Sequence, residues 1–456
     1  MKDYEDFLAG KDLLVKSCGF EVDKNELNPM LYDFQKDIVR FSLMKGRSAI
    51  FADCGLGKTP MQLEWAQKVS DYTEMPVLIL APLAVASQTV REGEKFHIHV
   101  TLCESQEDVE EGVNITNYEK LDKFTANEFS GVVLDESSIL KSFSSKTRTA
   151  LIDMFQQTSF KLCCTATPAP NDHMELGNHS EFLGIMTRAE MLAMYFTHDG
   201  KRTSQWRLKG HAQDVFWQWM ASWAVFISNP KDLGYQIDGY DLPELNLHEI
   251  IVDGEQPILQ ELSLTERRDA RRESLPDRVK AAAELVNNSN EQWLVWCDLN
   301  AESTALHEAI PDSVEVQGSD KDEYKKKSML DFSDASSRVL VTKPSIAGFG
   351  MNWQSCHNMI FVGLSDSFEA YYQAVRRCYR FGQEYPVNVY IIISAKEGCV
   401  KENIERKQQD AQTMREAMTQ YTKEITKKEL RQTTRLSTPY EPEVPMKLPE
   451  WEEFVA

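Results

Sequence analysis

Short runs of Val, Ile and Leu, each about one strand long and each leading into a helical pattern, recur along this chain in two groups. The first group is residues 48–52, 77–81, 131–134 and 161–165; the second is residues 293–297, 338–342, 359–362 and 389–393. Runs that are apolar at every position belong to strands buried on both faces, which parallel sheets clothed in helices provide. The pattern predicts an α/β chain with two parallel-sheet lobes. At 456 residues there is enough material for two such cores.

Between the groups, residues 171–243 have another texture, rich in Met, Trp and other aromatics without clear strands, and read as a helical inter-lobe segment. Turn formers at Asp241-Leu-Pro-Glu244 mark its end. The expected division is an N-terminal segment 1–30, a first lobe 31–170, the segment 171–243, a second lobe 244–400 and an extension 401–456. That extension reads as a charged helix followed by an acidic tail with several prolines, a candidate docking segment for a protein partner.

Composition narrows the class. A net charge of −21 argues against a generally basic nucleic-acid binder, while leaving room for a locally positive groove. No apolar run reaches the roughly 20 residues of a membrane span. The first residues, Met-Lys-Asp-Tyr-Glu-Asp-Phe, lack the basic and apolar regions of an export signal, so the expected compartment is the cytoplasm. The 9 cysteines include no Cys-x-x-Cys spacing and read as reduced thiols, not zinc ligands.

The chemistry-bearing residues sit at the ends of the runs. After the first comes Ala52-Asp-Cys-Gly-Leu-Gly-Lys-Thr59, a strand–turn–helix context suited to cradling phosphates. Gly55 and Gly57 let backbone N–H groups approach, Lys58 neutralises β- and γ-phosphates, and the Thr59 hydroxyl can ligate Mg²⁺. The run 131–134 ends in Asp135 and Glu136, placing two carboxylates at the same sheet edge, Asp135 for Mg²⁺ and Glu136 for the attacking water. Thr165 and Thr167 form a hydroxyl-rich turn after the fourth run, placed to sense the nucleotide and relay its state to a bound strand. Some three hundred residues downstream of the phosphate loop, Gln373-Ala-Val-Arg-Arg-Cys-Tyr-Arg-Phe-Gly-Gln383 carries Arg377 and Arg380 three apart, which on a helix share a face while Arg376 points elsewhere. Cations at one end of a chain and a phosphate loop at the other describe a split site, complete only when two lobes meet.

Taken together these segments resemble the superfamily-2 helicases, specifically the Swi/Snf-type DNA translocases, over residues 31–407. The Arg-Phe-Gly-Gln ending of the last motif points to that branch. The resemblance implies two RecA-like lobes, ATP with Mg²⁺ as cofactor, and duplex or single-stranded DNA as partner. It places Gln35 on the adenine base, with Gly55, Leu56, Gly57, Lys58, Thr59, Gly350 and Asn352 around the nucleotide. Pro82, Thr116, Thr165, Thr167 and Thr342 fall in motifs that contact the nucleic-acid strand. The implied catalytic set is Lys58, Asp135, Glu136, Arg377 and Arg380, with Thr59 and Asp135 on the metal. Three positions depart from the family: Ala52 replaces the first glycine of the phosphate loop, Ser138 a histidine, and Arg376 a small or acidic residue. The chain is short for the family and resembles the minimal motors of phages and bacteria.

Two other readings fit the same residues. One is an RNA helicase; the other is an ATP-gated clamp that holds nucleic acid, or recruits a partner, without moving along it. A basic, aromatic stretch containing Lys201, Arg202, Trp206, Arg207, Lys209 and His211 is a further candidate contact. Phe216, Trp219, Met220, Trp223 and Phe226, three or four apart, read as a core stripe.

Overall fold

The computed structural model describes residues 15, 17–82, 85–142, 144–198, 206–254, 264–347, 352–397 and 402–409, with 412, 413, 416 and 419. All eight apolar runs are strands. The first lobe is one parallel sheet built from β1 (Arg47–Ala52), β2 (Val77–Ala81), β3 (Val100–Leu102), β4 (Val113–Asn117), β5 (Gly131–Asp135), β6 (Phe160–Thr165) and β9 (Ala224–Ile227). Its order is β3-β4-β2-β5-β6-β1-β9. An antiparallel hairpin, β7 (Phe196–His198) and β8 (Trp206–Leu208), stands apart from it. The second lobe is a parallel sheet in the order β10-β15-β14-β11-β13-β12. Its members are β10 (Leu245–Ile251), β11 (Trp293–Trp296), β12 (Ser313–Glu315), β13 (Val339–Thr342), β14 (Asn358–Val362) and β15 (Val387–Ile393).

Why the runs are apolar throughout is visible in where alternate residues go. In β1, Ala49 and Phe51 join one core while Ile50 and Ala52 join another on the opposite face. The second lobe divides in the same way: Leu294 and Trp296 of β11 face one cluster, Trp293 and Val295 the other. Successive side chains of a strand point to opposite faces, so a sheet covered on both sides needs apolar residues at every position. Helices Asp33–Lys45 and Lys58–Thr73 cover one face of the first sheet through Phe34, Ile38, Met61 and Trp65.

Residues 171–243 differ from the helical inter-lobe reading. They hold helices, but β9 pairs in parallel with β1 through Ala49↔Ala224 to Ala52↔Ile227, and Leu176, Phe182, Met191, Tyr195 and Trp219 pack into the core on one face of the first sheet. The aromatic stripe is core as expected, with Phe216, Trp219, Met220 and Trp223 within 1% of fully buried and Phe226 6% exposed. The stripe begins in helix Gln213–Ala221 and ends in β9. A helical spacing that runs into a four-residue strand masks the change of period. The second sheet begins at Leu245, one residue beyond the expected boundary, and edge strand β10 is half exposed. Helical residues 402–409 start the extension, with Ile404 buried against the second lobe. The acidic tail lies outside the described residues. Among the described residues no helix is long and apolar enough to cross a membrane.

Candidate active site

The phosphate loop leaves β1 at Ala52 and enters helix Lys58–Thr73 through Gly57, which sits in the left-handed region at φ 77°. Gly55 also has a positive φ, 88°, and a Cβ there would come within 3.1 Å of the Phe381 backbone nitrogen. A Cβ on Gly57 would lie 2.3 Å from Gln35 Nε2. Both glycines are thus required by conformation and by close approach. Lys58 Nζ donates to the carbonyls of Ala52 (2.8 Å) and Asp53 (3.2 Å), so the ammonium lies across the loop.

Gln35 lies behind the loop. Its carboxamide is 4% exposed, donates to Leu56 O at 3.0 Å and accepts from Tyr32 N at 2.9 Å. In this arrangement its partners are the loop and its own helix start.

At the end of β5, Glu136 adopts φ 62°, an uncommon left-handed conformation for a residue with a side chain. The turn aims its carboxylate at two hydroxyls: Thr165 Oγ1 donates to Glu136 Oε1 at 2.5 Å and Ser138 Oγ at 3.1 Å. The Thr165 hydroxyl also accepts from Thr167 N at 3.0 Å, tying the β6 turn to the same oxygen. Tyr118 OH donates to Asp135 O at 2.8 Å. Burial pushes both carboxyl groups above their ordinary values, with Lys58 opposing the shift in each.

A histidine is present here after all, from an element that the sequence did not connect to this turn. His179, fully buried on helix Leu176–Leu183, places Nε2 3.2 Å from Ser137 Oγ. Burial pushes its pKa down to about 4, so it is neutral. It braces the turn that carries Glu136, and no spacing rule relates residues forty apart.

The second lobe supplies the arginines. Helix Phe368–Val375 stops one residue before Arg376, and tighter turns follow, with Arg377 N bonded to Ala374 O and Cys378 N to Val375 O. Arg377 and Arg380 therefore do not ride one helix face, as the spacing suggested. Turns still direct them into the cleft. Arg377 is buried, donates from Nε to Gln373 O at 3.0 Å, and lies within electrostatic reach of Cys54 and Glu136 of the first lobe. Arg380 bonds Asn352 Oδ1. Burial, with Arg377 beside it, lowers its pKa to about 10. Arg376 also faces the first lobe, contrary to its expected direction, and pairs with Asp53.

Residues 34–191 match the SNF2-related domain and residues 277–382 the helicase conserved C-terminal domain, in that order and one in each lobe. The chain is a superfamily-2 helicase of the Swi/Snf type. Curated relatives of this Swi/Snf-type chain include the DNA annealing helicase and endonuclease ZRANB3 of Mus musculus, 24% identical over 427 residues, covering 81% of this chain and 39% of the relative. The Bos taurus protein of the same name is 23% identical over 433 residues, covering 83% of this chain and 40% of the relative. The chain thus spans about two fifths of the length of these relatives. Among solved structures, the Sulfolobus solfataricus SWI2/SNF2 ATPase core in complex with dsDNA aligns with TM-score 0.43 and 17% identity, over 92% of this chain and 100% of that one. The fold assignment rests on the strand orders above.

Thr59 is half-buried in the first turn of its helix, and Pro82 follows β2 at the sheet edge. Thr116 and Thr342 are fully buried, their hydroxyls donating to Cys103 O (2.8 Å) and Val316 O (3.1 Å), so here they brace neighbouring strands. Asn352 is exposed. Gly350, Lys201 and Arg202 lie outside the described residues; Lys209 donates to Ala193 O and Met194 O near the C-terminal end of a helix. Beside the phosphate loop opens a cavity of about 380 Å³ lined by Asp53, Cys54, Leu56, Tyr240, Arg376 and Phe381 among others. Tyr240 and Phe381 meet across it with centroids 4.6 Å apart.

Proposed function

We propose that this chain is an ATP-dependent DNA translocase whose site is assembled by both lobes. The observation that carries this reading is Arg377, a second-lobe guanidinium buried within electrostatic reach of the phosphate loop's Cys54 and of Glu136. A cation there offsets the charge that develops on the transferred phosphoryl group.

Lys58 and the loop's backbone N–H groups bind the phosphates. Glu136, oriented by Thr165 and Ser138, holds the attacking water and takes its proton as oxygen bonds to the γ-phosphorus and the bond to the β-phosphate oxygen breaks. Arg377 and Arg380 hold the γ-phosphoryl oxygens. In this reading the base lies toward the cavity lined by Leu56, Tyr240 and Phe381.

Thr59 and Asp135 suit Mg²⁺, offering a hydroxyl and a carboxylate, hard oxygen donors. Asp135 is a buried acid whose charge burial disfavours, which a cation would relieve. Among the described residues no three His, Cys, Asp or Glu side chains converge to hold a metal alone, so nucleotide and water oxygens would complete its shell. When bound, Mg²⁺ neutralises charge on the β- and γ-phosphates. DNA is favoured over RNA by the Arg-Phe-Gly-Gln motif and by the DNA annealing helicase name of the relatives. A protein partner, in this reading, docks on the acidic tail.

The test is steady-state ATP hydrolysis alone and with duplex DNA, single-stranded DNA or RNA, followed by triplex displacement on duplex DNA. Stimulation by duplex DNA with displacement supports the translocase. Binding without displacement means a clamp, and stimulation by RNA alone means an RNA helicase.

A further inference from the structure

Three residues on or just past the second lobe's helix Phe368–Val375 bond to the first lobe: Glu369, Tyr372 and the C-cap residue Arg376. Glu369, 9% exposed, pairs with Lys141, the last residue of the turn Ser137–Lys141 that follows Glu136. Arg376 and Tyr372 both engage the carboxylate of Asp53, the residue that opens the phosphate loop. The Arg376 guanidinium is held further by Tyr379 O at 3.2 Å and lies 5.3 Å from the ring centroids of both Tyr372 and Tyr379. Side-chain exposure is only 11% for Arg376 and 6% for Asp53, so salt screens this pair weakly. Gln373, between the two ends, is 2% exposed and neither atom of its carboxamide has a hydrogen-bond partner among the described residues. The bonds described across this boundary come from Glu369 at one end and from Tyr372 and Arg376 toward the other.

Each end is attached to one half of the chemistry. Asp53 leads into the loop that holds Lys58, and its Oδ1 also accepts from Cys54 N at 2.6 Å, so a pull on the carboxylate is felt by the loop backbone. Lys141 belongs to the turn that sets Glu136. The segment anchored at both points is the one that continues into Arg377 and Arg380.

We propose that Asp53–Arg376 and Lys141–Glu369 form a two-point clasp that sets where Arg377 and Arg380 stand over the phosphate loop, which makes Arg376 and Glu369 positioning residues for hydrolysis. The proposal rests on the reading that this cleft hydrolyses ATP. Arg376 itself need not touch the nucleotide: its charge is matched by Asp53, and its effect passes through the placement of its neighbours. The two ends differ in exposure, since the Lys141 side chain is 40% exposed, so salt weakens the Glu369 end first.

Two measurements on the full chain test it. In the first, ATP turnover and binding of a fluorescent ATP analogue are compared for D53N, R376Q, the double variant and E369Q. The clasp predicts that R376Q and E369Q each lower kcat by about tenfold or more while analogue affinity changes less than threefold. It also predicts that the double variant is no slower than the slower of its singles, because partners that act as a unit do not add. Multiplicative losses in the double variant, or singles that turn over at the unaltered rate, overturn it. In the second, fluorescence energy transfer is read between dyes at Glu107 and Glu323, exposed positions on different lobes. R376Q and E369Q should broaden and shift the transfer distribution, with salt shifting the unaltered chain toward the E369Q distribution. Distributions that match the unaltered chain overturn the clasp. This readout needs no hydrolysis, so a shift in a chain that fails to hydrolyse ATP would remove the functional reading and leave the clasp standing.

Discussion

Gln35 and Leu56 are joined by a buried hydrogen bond, Nε2 to carbonyl oxygen at 3.0 Å, that fastens the start of helix Asp33–Lys45 to the phosphate loop. The other carboxamide atom accepts from Tyr32 N, so both ends of the side chain serve the loop's support. Replacing Gln35 by Ala leaves a buried carbonyl without its donor, a cost of about 1–2 kcal/mol. KM for ATP should rise roughly five- to thirtyfold, as 1.4 kcal/mol is a factor of ten, with a smaller change in kcat. Gln35→Glu should be worse than Ala, because it sets an acceptor against the Leu56 carbonyl. Steady-state kinetics with ATP and GTP in parallel check this, and a collapse of ATP-over-GTP preference at unchanged loop affinity would instead put Gln35 on the base.

Lys58 and Arg380 should separate binding from turnover. Lys58→Ala removes the ammonium that spans the loop and should abolish both analogue binding and hydrolysis. Arg380→Ala should bind the analogue within a fewfold of the unaltered chain and lose at least about a hundredfold in kcat, the scale for one oriented donor at developing charge. Normal hydrolysis by Arg380→Ala would refute the split site.

The pH profile should report Glu136. Burial raises its carboxyl above the ordinary 4.5, while Lys58 and the Thr165 hydroxyl oppose the rise. As the general base it works only when ionised, so kcat/KM should fall on the acid side with a limb above pH 4.5. Thr165→Val removes a bond that favours the charged form and should move that limb to higher pH. Glu136→Gln should lose the limb along with most of the activity. The measurement is kcat/KM for ATP between pH 5 and 9 in the three proteins.

Stability should depend on His179 in the acid direction, over a pH window higher than that of the usual carboxylates. Its pKa falls from 6.5 to about 4 because burial disfavours the imidazolium. Between those values the unfolded chain binds a proton that the fold refuses, so stability declines as pH falls from 6.5 toward 4 and is fully present above 6.5. By pH 5 the loss through this residue is on the order of 2 kcal/mol. His179→Gln should therefore show a smaller drop in denaturation midpoint between pH 7.5 and 5 than the unaltered chain. Equal drops would mean that His179 is not buried as the neutral base.

Much of this protein is decided by local sequence. Parallel strands covered on both faces need unbroken apolar runs, which is why all eight could be read from composition alone. The phosphate loop is local too: a strand, two glycines at positive φ and a lysine at a helix start lie within a dozen residues, and the carboxylates Asp135 and Glu136 follow from where β5 stops. What tertiary structure decided is everything that depends on which elements become neighbours. β9 hides at the end of an aromatic helical stripe, because four residues have too few periods to declare themselves. Only pairing with β1 makes them a strand of the first lobe. His179 reaches Ser137 because helix Leu176–Leu183 packs against that turn, a contact between residues that no spacing rule relates. Arg376 was expected to point away from the stripe of Arg377 and Arg380, on the premise of a continuous helix. The helix ends at Val375, the turns that follow redirect each side chain separately, and Arg376 meets Asp53 more than three hundred residues away. Residue type and spacing set which chemistry was available; the packing of two lobes set which groups stand face to face, since that depends on distances through space that a chain's order does not contain.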